Sequence, residues 1–532
     1  MNIFGRKDKS RSGKRPTRFA GTWYEGNSKA LDEEISGYLN AAEKVLNSNP
    51  AVADFDESKR ALYAIIAPHA GYIYSGATAG VAYSFAKQFK PKRVFLLGPS
   101  HYVGFQGVVL TPDESFETPL GDLPLDRATI EALLQYPMFD ESREVHQKEH
   151  SLELQLSFIR KAFGEVPIVP LIVGLLNDPA DVRLIGQIIR RYVHEDDLVV
   201  VSSDFTHYGP RYDYVPFPSS VAQEKVKELD LEAFGCLEHA DLPGFLEFHD
   251  RTRCTICGFY PTAVLLSMLP PGAKAELLQY RTSMDVSSDE KENSVSYLAI
   301  AFTGVDGAAS WEADKGLSKD DLLNEAEKSD LLFVARQALD LFVRERKVLR
   351  AEDAGVEITP AMRQPLGAFV TLFKHGNPKP RKAGSAGGGS ERIRADGTPE
   401  DRDLRGCIGY IWPIKPLIEA VIDNAIGSCS KDPRFIEVKE SELSDIDIEV
   451  SVLTPLTRAQ SEEEIEIGKH GIVMYLRGRQ SVFLPHVASE FGWTLEETLS
   501  QLARKAGFGS QDWRNSAHYD IFESIMFEEE RH

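Results

Sequence analysis

Short apolar runs alternate with segments of helical periodicity in the first half of the chain. Five of these runs predict strands, at residues 61–67 (ALYAIIA), 93–97 (RVFLL), 168–173 (IVPLIV), 198–202 (LVVVS) and 295–302 (VSYLAIAF). Four or more apolar residues in a row, without polar alternation, are typical of strands that are covered on both faces. Helices are predicted between them, for example at 151–163 and 180–192. This order predicts an α/β domain with a mainly parallel sheet over residues 18–303.

The second half of the chain predicts a smaller α+β domain over residues 318–532. The predicted strands are at residues 404–411 and 446–453, with a hairpin at 472–476 and 481–484. Thr494 and Glu497 form a capping-box pattern, which predicts a helix that ends at Gly507.

Two segments lack the periodicity of either domain. Residues 304–317 combine Gly, Ala and charged residues, and they are predicted to be the linker between the domains. Residues 376–402 are rich in Gly, Pro and Ser, a composition that cannot form a core. We therefore predict a flexible surface insertion there.

Composition narrows the class of protein. The formal net charge of −21 over 532 residues argues against broad nucleic-acid binding and against binding to anionic membranes, because phosphate contacts need concentrated Lys and Arg. Residues 1–18 contain seven Lys and Arg residues and one acidic residue, Asp8. Residues 1–17 are therefore predicted to be a disordered basic tail. Without a long apolar segment, a signal-peptide pattern or more than five cysteines, we expect a cytoplasmic protein.

Three histidines follow the ends of three predicted strands. His69 lies in PHAGY, His101 in PSHY and His207 in SDFTHYG. Ligands of open α/β sheets bind beyond the carboxyl ends of the strands, so these side chains are predicted to meet there. Because imidazole is the commonest metal ligand and also a base near neutral pH, the pattern predicts a metal or catalytic site.

Two further segments supply candidate site residues. Cys257 precedes a predicted helix and is a better ligand candidate than Cys254, because a helix N-terminus favours the thiolate. His150 and Glu153 are three residues apart at the start of another predicted helix, so they share a face. This second pair fits either the lining of a site or the cap of a helix.

The strings PHAGYIYSG, LGPSHY, EHSLELQL, SSDFTHYG and TICG, preceded by RFAGTWYEG, resemble the Memo family over residues 18–303. The family's fold is similar to that of the LigB-like class III extradiol dioxygenases, which use non-haem iron. The resemblance implies that His69, His101 and Cys257 bind a metal ion. It also implies His207 as an acid or base, with Asp204 beside it.

A thiolate at the third ligand position departs from the dioxygenases, where that ligand is a carboxylate. Iron(II) is the expected metal, and copper and zinc remain alternatives. We expect Asp204 and His150 to orient the substrate or the ligands, together with Glu153, Tyr72 and Tyr102.

The second half resembles the AMMECR domain through LRGCIG at 404–409, GAFVTL at 367–372 and HGI at 470–472. Arg405, Cys407 and His470 are candidates for a site in this domain. Memo-like and AMMECR-like proteins occur with a radical-SAM protein in the AmmeMemoRadiSam system, which makes such a protein a candidate partner.

Three hypotheses about function follow. The first is a metal-dependent redox enzyme, similar to a dioxygenase, that acts on a small aromatic or enol-type molecule. The second is a metal-dependent hydrolase in which His207 activates a metal-bound water. The third is a non-catalytic adaptor or metal-handling protein.

Overall fold

The structure is a computed structural model that describes residues 13–50, 52, 60–287, 292–304, 311, 322–375, 402–459 and 461–529. The chain forms two compact units, Met1–Ala313 and Asp314–His532, and the division falls within the predicted linker at 304–317. The predicted insertion at 376–402 lies outside the described residues, except that Arg402 begins a strand. None of the described helices is both long enough and apolar enough to cross a membrane.

The N-terminal unit contains strands β1 to β12. Their bounds are β1 Lys14–Arg15, β2 Leu62–Ala67, β3 Arg93–Pro99, β4 Val108–Leu110, β5 Ser115–Phe116, β6 Leu123–Pro124, β7 Phe139–Glu141, β8 Ile168–Val173, β9 Asp197–Ser202, β10 His207–Tyr208, β11 Lys274–Thr282 and β12 Ser294–Thr303. Its helices are α1 Ser28–Ser48, α2 Tyr72–Ala86, α3 Arg127–Leu133, α4 Arg143–Lys148, α5 Glu153–Phe163, α6 Pro179–Arg190, α7 Ala222–Glu238, α8 Leu242–Thr252 and α9 Phe259–Met268.

The main sheet of this unit has a parallel centre and antiparallel flanks. Its strand order is β10-β12-β2-β9-β3-β8-β4-β7, and β11 pairs with β12. Strands β2, β9, β3 and β8 run parallel to their neighbours, whereas β12 runs antiparallel to β2 and β4 antiparallel to β8. All residues of β2, β8 and β9 are buried, as their uninterrupted apolar runs predict.

The prediction of a disordered tail over residues 1–17 is wrong for its described part. Residues 1–12 lie outside the described residues, but Lys14–Arg15 forms β1 and pairs in parallel with β5. The Arg15 side chain is 1% exposed. A count of charges could not show this, because Arg15 is paired with a carboxylate more than a hundred residues away in the chain.

The C-terminal unit contains strands β13 to β20 and helices α10 to α14. The strands are β13 Ala368–His375, β14 Arg402–Tyr410, β15 Ile446–Leu453, β16 Thr457–Ala459, β17 Gly471–Leu476, β18 Arg479–Phe483, β19 His518–Phe522 and β20 Ser524–Glu528. The helices are α10 Glu325–Glu345, α11 Pro360–Arg363, α12 Leu417–Ser430, α13 Pro485–Glu490 and α14 Leu495–Lys505.

These strands form two four-stranded sheets, in the orders β14-β13-β15-β20 and β16-β19-β17-β18. Helices α10 and α12 cover one face of the first sheet, and α14 packs on the second sheet. The predicted hairpin is confirmed as β17 and β18, and the Thr494–Glu497 capping box begins α14 as predicted. The unit is thus α+β, as the sequence predicts.

Gly406 lets α12 approach β14 closely. A Cβ atom at this position would lie 2.0 Å from the Ser428 carbonyl oxygen, which belongs to the helix backbone. We expect Gly406→Ala to destabilise the C-terminal unit by about 1–3 kcal/mol, because the helix must move away from the sheet. Urea denaturation of the full chain, followed by the fluorescence of Trp412 and Trp513, measures the loss.

Gly235→Ala is the control for this substitution. Gly235 lies inside α7, and its added Cβ would meet nothing within 4 Å. Alanine there is expected to stabilise its helix slightly. Equal stability of the Gly406→Ala variant and the unmodified chain would contradict the close approach.

Candidate metal centre

Three histidine side chains converge at one edge of the parallel strands. His69 follows β2, His101 follows β3 and His150 precedes α5. One ligand nitrogen from each ring lies within 4.8 Å of the others, which makes this the group of described residues that could hold a metal ion. The carboxyl ends of β2 and β3 therefore bring His69 and His101 together, as the sequence predicts.

The hydrogen bonds of His69 determine which ring nitrogen is free. Ser202 Oγ donates to the Ser151 carbonyl at 2.6 Å and accepts from Gln155 Nε2 at 2.8 Å. Its remaining lone pair can only accept, so the proton lies on His69 Nδ1, which is 2.9 Å away. His69 Nε2 therefore keeps its lone pair. Burial lowers the pKa of this histidine well below its ordinary value, which keeps the ring neutral.

Glu149 fixes the orientation of His101 in the same way. Its Oε1 lies 2.8 Å from His101 Nδ1, and its Oε2 accepts from the His101 backbone N–H at 2.7 Å. Burial opposes ionisation of this carboxyl, but hydrogen bonds from His101 outweigh it and lower the pKa of Glu149 to about 2. An ionised carboxylate behind an imidazole holds the proton on Nδ1 and leaves Nε2 to a metal ion.

His150 is the ring that completes the cluster. It stacks on His101 with ring centroids 4.3 Å apart, and Trp23 covers it at 4.5 Å. Its buried Nδ1 lies 3.3 Å from Glu149 Oε1 but makes no hydrogen bond within the described part of the chain. Burial, with His69 and His101 nearby, lowers the pKa of His150 to about 3, so this ring is also neutral at pH 7.

Cys257 adjoins the cluster on the side of His69. Its Sγ lies 3.1 Å from His69 Nε2 and 3.4 Å from the Asp204 carbonyl oxygen, so either atom can accept the thiol proton. Burial raises the pKa of Cys257 well above its ordinary value, and this keeps the sulfur protonated. The Asp204 backbone N–H lies 3.2 Å from the same sulfur, and the Asp204 carboxylate accepts from the His69 backbone N–H at 2.7 Å.

His207 is half-buried and has a defined tautomer. Its Nδ1 lies 2.9 Å from the Phe205 carbonyl oxygen and 3.0 Å from the Thr255 carbonyl oxygen. Carbonyl oxygens only accept, so Nδ1 carries the proton and Nε2 has a free lone pair. Its backbone N–H donates to Thr255 Oγ1 at 2.9 Å, two residues before Cys257.

The other predicted residues either support the elements around the histidine cluster or lie at its rim. Tyr72 is buried, and its hydroxyl donates to the Leu154 carbonyl at 2.7 Å, so it supports α5. Tyr102 is 52% exposed and lies 5.7 Å from the His150 ring, at the rim of the cluster.

Glu153 does not face the cluster. It forms an ion pair with Arg15 at 2.7 Å and accepts from Tyr24 Oη at 3.0 Å.

Two family models match the chain, one in each half. Residues 15–301 match the family model described as Memo-like protein, which covers more than half of the chain. The chain belongs to the Memo-like protein family. Residues 332–527 of the same chain match the family model AMMECR1, so the two domains are fused.

Relatives of the Memo-like domain come from a nematode and from several vertebrates. Protein MEMO1 of Danio rerio is 33% identical over 281 residues, which cover 51% of this chain and 88% of the relative. Protein MEMO1 of Homo sapiens is 31% identical over 303 residues, which cover 54% of this chain and 97% of the relative. A solved structure, Uncharacterized Protein PH0010 from Pyrococcus horikoshii, is 30% identical with a TM-score of 0.33, covering 39% of this chain and 94% of its own.

Sequence reasoning missed several residues around the Memo-like site. Ser202 and Gln155 set the tautomer of His69, and Trp23 covers His150. Ser202 is the last residue of a predicted strand, and Gln155 lies in EHSLELQL, so both were close to residues that were singled out. Trp23 lies in RFAGTWYEG, which is part of the family resemblance, but its contact with His150 was not predicted, because it joins segments far apart in the chain.

The three candidate residues of the AMMECR domain have different surroundings. Arg405 is buried and pairs with Glu442 at 3.0 Å, and it also donates to two carbonyls of the loop at 436–437. Cys407 is partly exposed on the neighbouring stretch of β14. His470 accepts a hydrogen bond from the Glu466 backbone N–H within its own turn. Arg405 thus has a structural role, which leaves Cys407 as the candidate with reactive chemistry.

Proposed function

We propose that the Memo-like domain is a metal-dependent oxidoreductase that uses dioxygen to oxidise a small aromatic or enol-type molecule. The observation that supports this proposal is the convergence of three imidazoles, whose ligand nitrogens lie within 4.8 Å of one another. His69 and His101 each have Nδ1 occupied by a support residue, so that Nε2 is available to a metal ion. Such support is typical of ligands in metal sites.

The donor set fits a divalent transition metal. Imidazole nitrogens suit iron, copper and zinc, and a thiolate adds preference for the softer of these ions. Two ligand sets are compared: the three histidines, whose ligand atoms lie within 4.8 Å of one another, and the set His69, His101 and Cys257, which the family resemblance implies and in which Cys257 contacts His69. A buried His150 Nδ1 without a hydrogen bond favours the first set, and the contact between Cys257 and His69 favours the second. Iron(II) in this site would supply Lewis acidity and electrons for dioxygen.

Side chains next to the metal ligands would accept the proton that a substrate hydroxyl loses. His207 Nε2 is free to accept a proton from a substrate hydroxyl, since its Nδ1 proton is held by two carbonyls. The buried Asp204 carboxylate, three residues before His207 in the chain, would stabilise the imidazolium that results through its opposite charge. Burial raises the pKa of Asp204, and a cation at His207 acts in the opposite direction.

Aromatic side chains line the rim of the site. Trp23 lies against His150, Tyr102 lies beside His101, and Tyr212 meets the His207 ring edge-on at 5.1 Å. Flat apolar walls next to a polar centre suit a substrate with one planar face and one chelating edge. This supports an aromatic or enol-type substrate, as does the resemblance of the fold to the extradiol dioxygenases.

Metal content of protein purified without oxygen tests the proposal. We expect one equivalent of iron or copper in the unmodified protein and its loss in His69→Ala and His101→Ala. If His150→Ala loses the metal and Cys257→Ala keeps it, the third ligand is His150. If Cys257→Ala loses the metal and His150→Ala keeps it, the third ligand is the Cys257 thiolate. Glu149→Gln is expected to weaken metal binding by about 10- to 100-fold, because the carboxylate orients His101.

His239→Ala is the matched control, because this histidine is 72% exposed on the surface of the same domain. It should retain all of its metal. Oxygen uptake with catechol-type diols then tests the redox step. Protein that binds no metal, or metal-loaded protein that consumes no oxygen with any diol, would overturn the proposal in favour of a binding or hydrolytic role.

A further inference from the structure

Asp230 is a buried carboxylate of α7 that holds the residue directly before His207. Its Oδ1 accepts from the Thr206 hydroxyl at 2.6 Å and from the Thr206 backbone N–H at 3.2 Å, and its Oδ2 accepts from Tyr280 Oη at 3.0 Å. Asp230 is fully buried, and it pairs with no cation among the residues that the structure describes. Burial of a carboxylate without a counter-charge is costly, and hydrogen bonds to the charged form offset that cost. Thr206 supplies two of the three bonds.

The bond from the Thr206 hydroxyl has the length of a hydrogen bond to an ionised carboxylate. Such O–H donors lie about 2.5–2.7 Å from the charged oxygen. Burial raises the pKa of Asp230 to about 6, and hydrogen bonds from Ser296 and Thr206 act in the opposite direction, so the group is ionised at pH 8. Because one oxygen accepts from both donors of Thr206, Asp230 fixes the backbone and the side chain of that residue together.

The strand that contains His207 is too short to set the position of this residue by itself. β10 consists of His207 and Tyr208, which pair with the first two residues of β12. Strands of folded proteins usually have three to ten residues, and a ladder of two residues closes few backbone hydrogen bonds. Side-chain contacts to the neighbouring backbone therefore determine where the His207 ring lies.

One such contact comes from the segment before α9, and the other comes from Asp230. Thr255 Oγ1 accepts from the His207 backbone N–H and donates to the His207 carbonyl at 2.8 Å. Thr255 is two residues before Cys257, so a substitution there would also disturb a candidate metal ligand. The hydrogen bonds of Asp230 involve no candidate ligand, so this contact can be changed without changing the ligand segments.

We propose that Asp230 is a positioning residue, which acts through Thr206 to hold the His207 imidazole where it can accept the proton of a substrate hydroxyl. The inference rests on the proposed function, in which His207 is the base. Misplacement of a catalytic group by about 1 Å can lower a rate by about 10²-fold. Loss of Asp230 should therefore slow the chemical step and leave substrate binding intact.

Oxygen uptake by the metal-loaded full chain with two diols tests this role. Catechol must lose a hydroxyl proton to react, whereas 4-nitrocatechol is already ionised at pH 8 and needs no base for that step. Asp230→Ala is expected to lower kcat for catechol by about 10²-fold, with KM and metal content unchanged, and to leave kcat for 4-nitrocatechol nearly unchanged. Asp230→Asn keeps an acceptor for Thr206 and should recover much of the rate with catechol.

Hydrogen exchange, followed by peptide mass spectrometry, measures the same link without substrate or oxygen. The Thr206 amide loses its acceptor in Asp230→Ala, so the peptide that contains residues 204–208 is expected to exchange about tenfold faster. Peptides that contain His69 and His101 should not change. Glu228→Ala is the matched control on the same helix, because its carboxylate is exposed in a pair with Lys225, and it should alter neither exchange nor oxygen uptake.

Thr206→Val keeps the size of the side chain and removes its hydroxyl, so it tests the same link if Asp230→Ala does not fold. It should slow oxygen uptake with catechol more than with 4-nitrocatechol. Equal losses with the two diols, or unchanged uptake with catechol, would overturn the positioning role. If the unmodified protein bound no metal or consumed no oxygen, the proposed function would fail. Faster exchange at 204–208 in Asp230→Ala would then still support the link from Asp230 to His207, and unchanged exchange would overturn it.

Discussion

Glu153→Gln is expected to lower the free energy of unfolding of the Memo-like domain by about 3–5 kcal/mol. Glu153 is 1% exposed, and its Oε1 accepts from the backbone N–H groups of Arg18 and Phe19, each at 2.8 Å. Its Oε2 lies 2.7 Å from Arg15 Nη1, although the two are not aligned as a hydrogen bond. The amide would leave the Arg15 guanidinium buried without its counter-charge, and this accounts for most of the loss.

Thermal and urea unfolding of the full chain measure this effect, and the melting temperature is expected to fall by on the order of 10 °C. Arg15→Met should destabilise the domain similarly, because it leaves the carboxylate unpaired. Lys14→Met is the matched control one residue away. Its ammonium is largely exposed in its pairs with Asp122 and Glu117, so little change is expected. A Glu153→Gln variant as stable as Lys14→Met would contradict the importance of the buried pair.

His207→Ala is expected to reduce oxygen uptake by about 10²- to 10⁴-fold while the metal content stays unchanged. The side chain would no longer accept the substrate proton, whereas His69, His101 and His150 would keep their geometry. The measurement uses the diol that gives the fastest uptake with the unmodified protein. Partial recovery on addition of imidazole would show that a missing base, rather than a damaged fold, causes the loss.

The control for His207→Ala is His249→Ala, a half-buried histidine that stacks on Phe259. It should retain oxygen uptake. If His207→Ala lost its metal together with its activity, His207 would act as a ligand, and its role as a base would be wrong. If it lost neither, the proton would be transferred by another group.

Much of the fold follows from local patterns in the sequence. The apolar runs that precede His69, His101 and Asp204 became the buried parallel strands β2, β3 and β9, because a strand covered on both faces is mostly apolar. The antiparallel pairing of β12 with β2 was not predictable from the run at 295–302. Buried parallel and antiparallel strands have the same apolar pattern, and only the topology distinguishes them.

Some residues of the candidate site could likewise be predicted from local sequence patterns, and others could not. His69 and His101 could be predicted from strand ends, which share one edge of a parallel sheet. His150 lies before a helix, where its sequence fits a cap as well as a site, and only the three-dimensional arrangement shows its ring on that of His101. The buried pair of Arg15 and Glu153 could not be predicted, since no local pattern links residues 138 positions apart.

The position of β12 has a consequence for how the domain is made. Residues 294–303 are the last strand of the N-terminal unit, yet they pair with β10, β11 and β2. Until the ribosome releases this strand, β2 has an open edge and β11 has no partner in the sheet. Such an edge invites pairing with other chains. A separately produced Memo-like domain should therefore extend past Thr303, and a version that stops before Ser294 should aggregate as it leaves the ribosome.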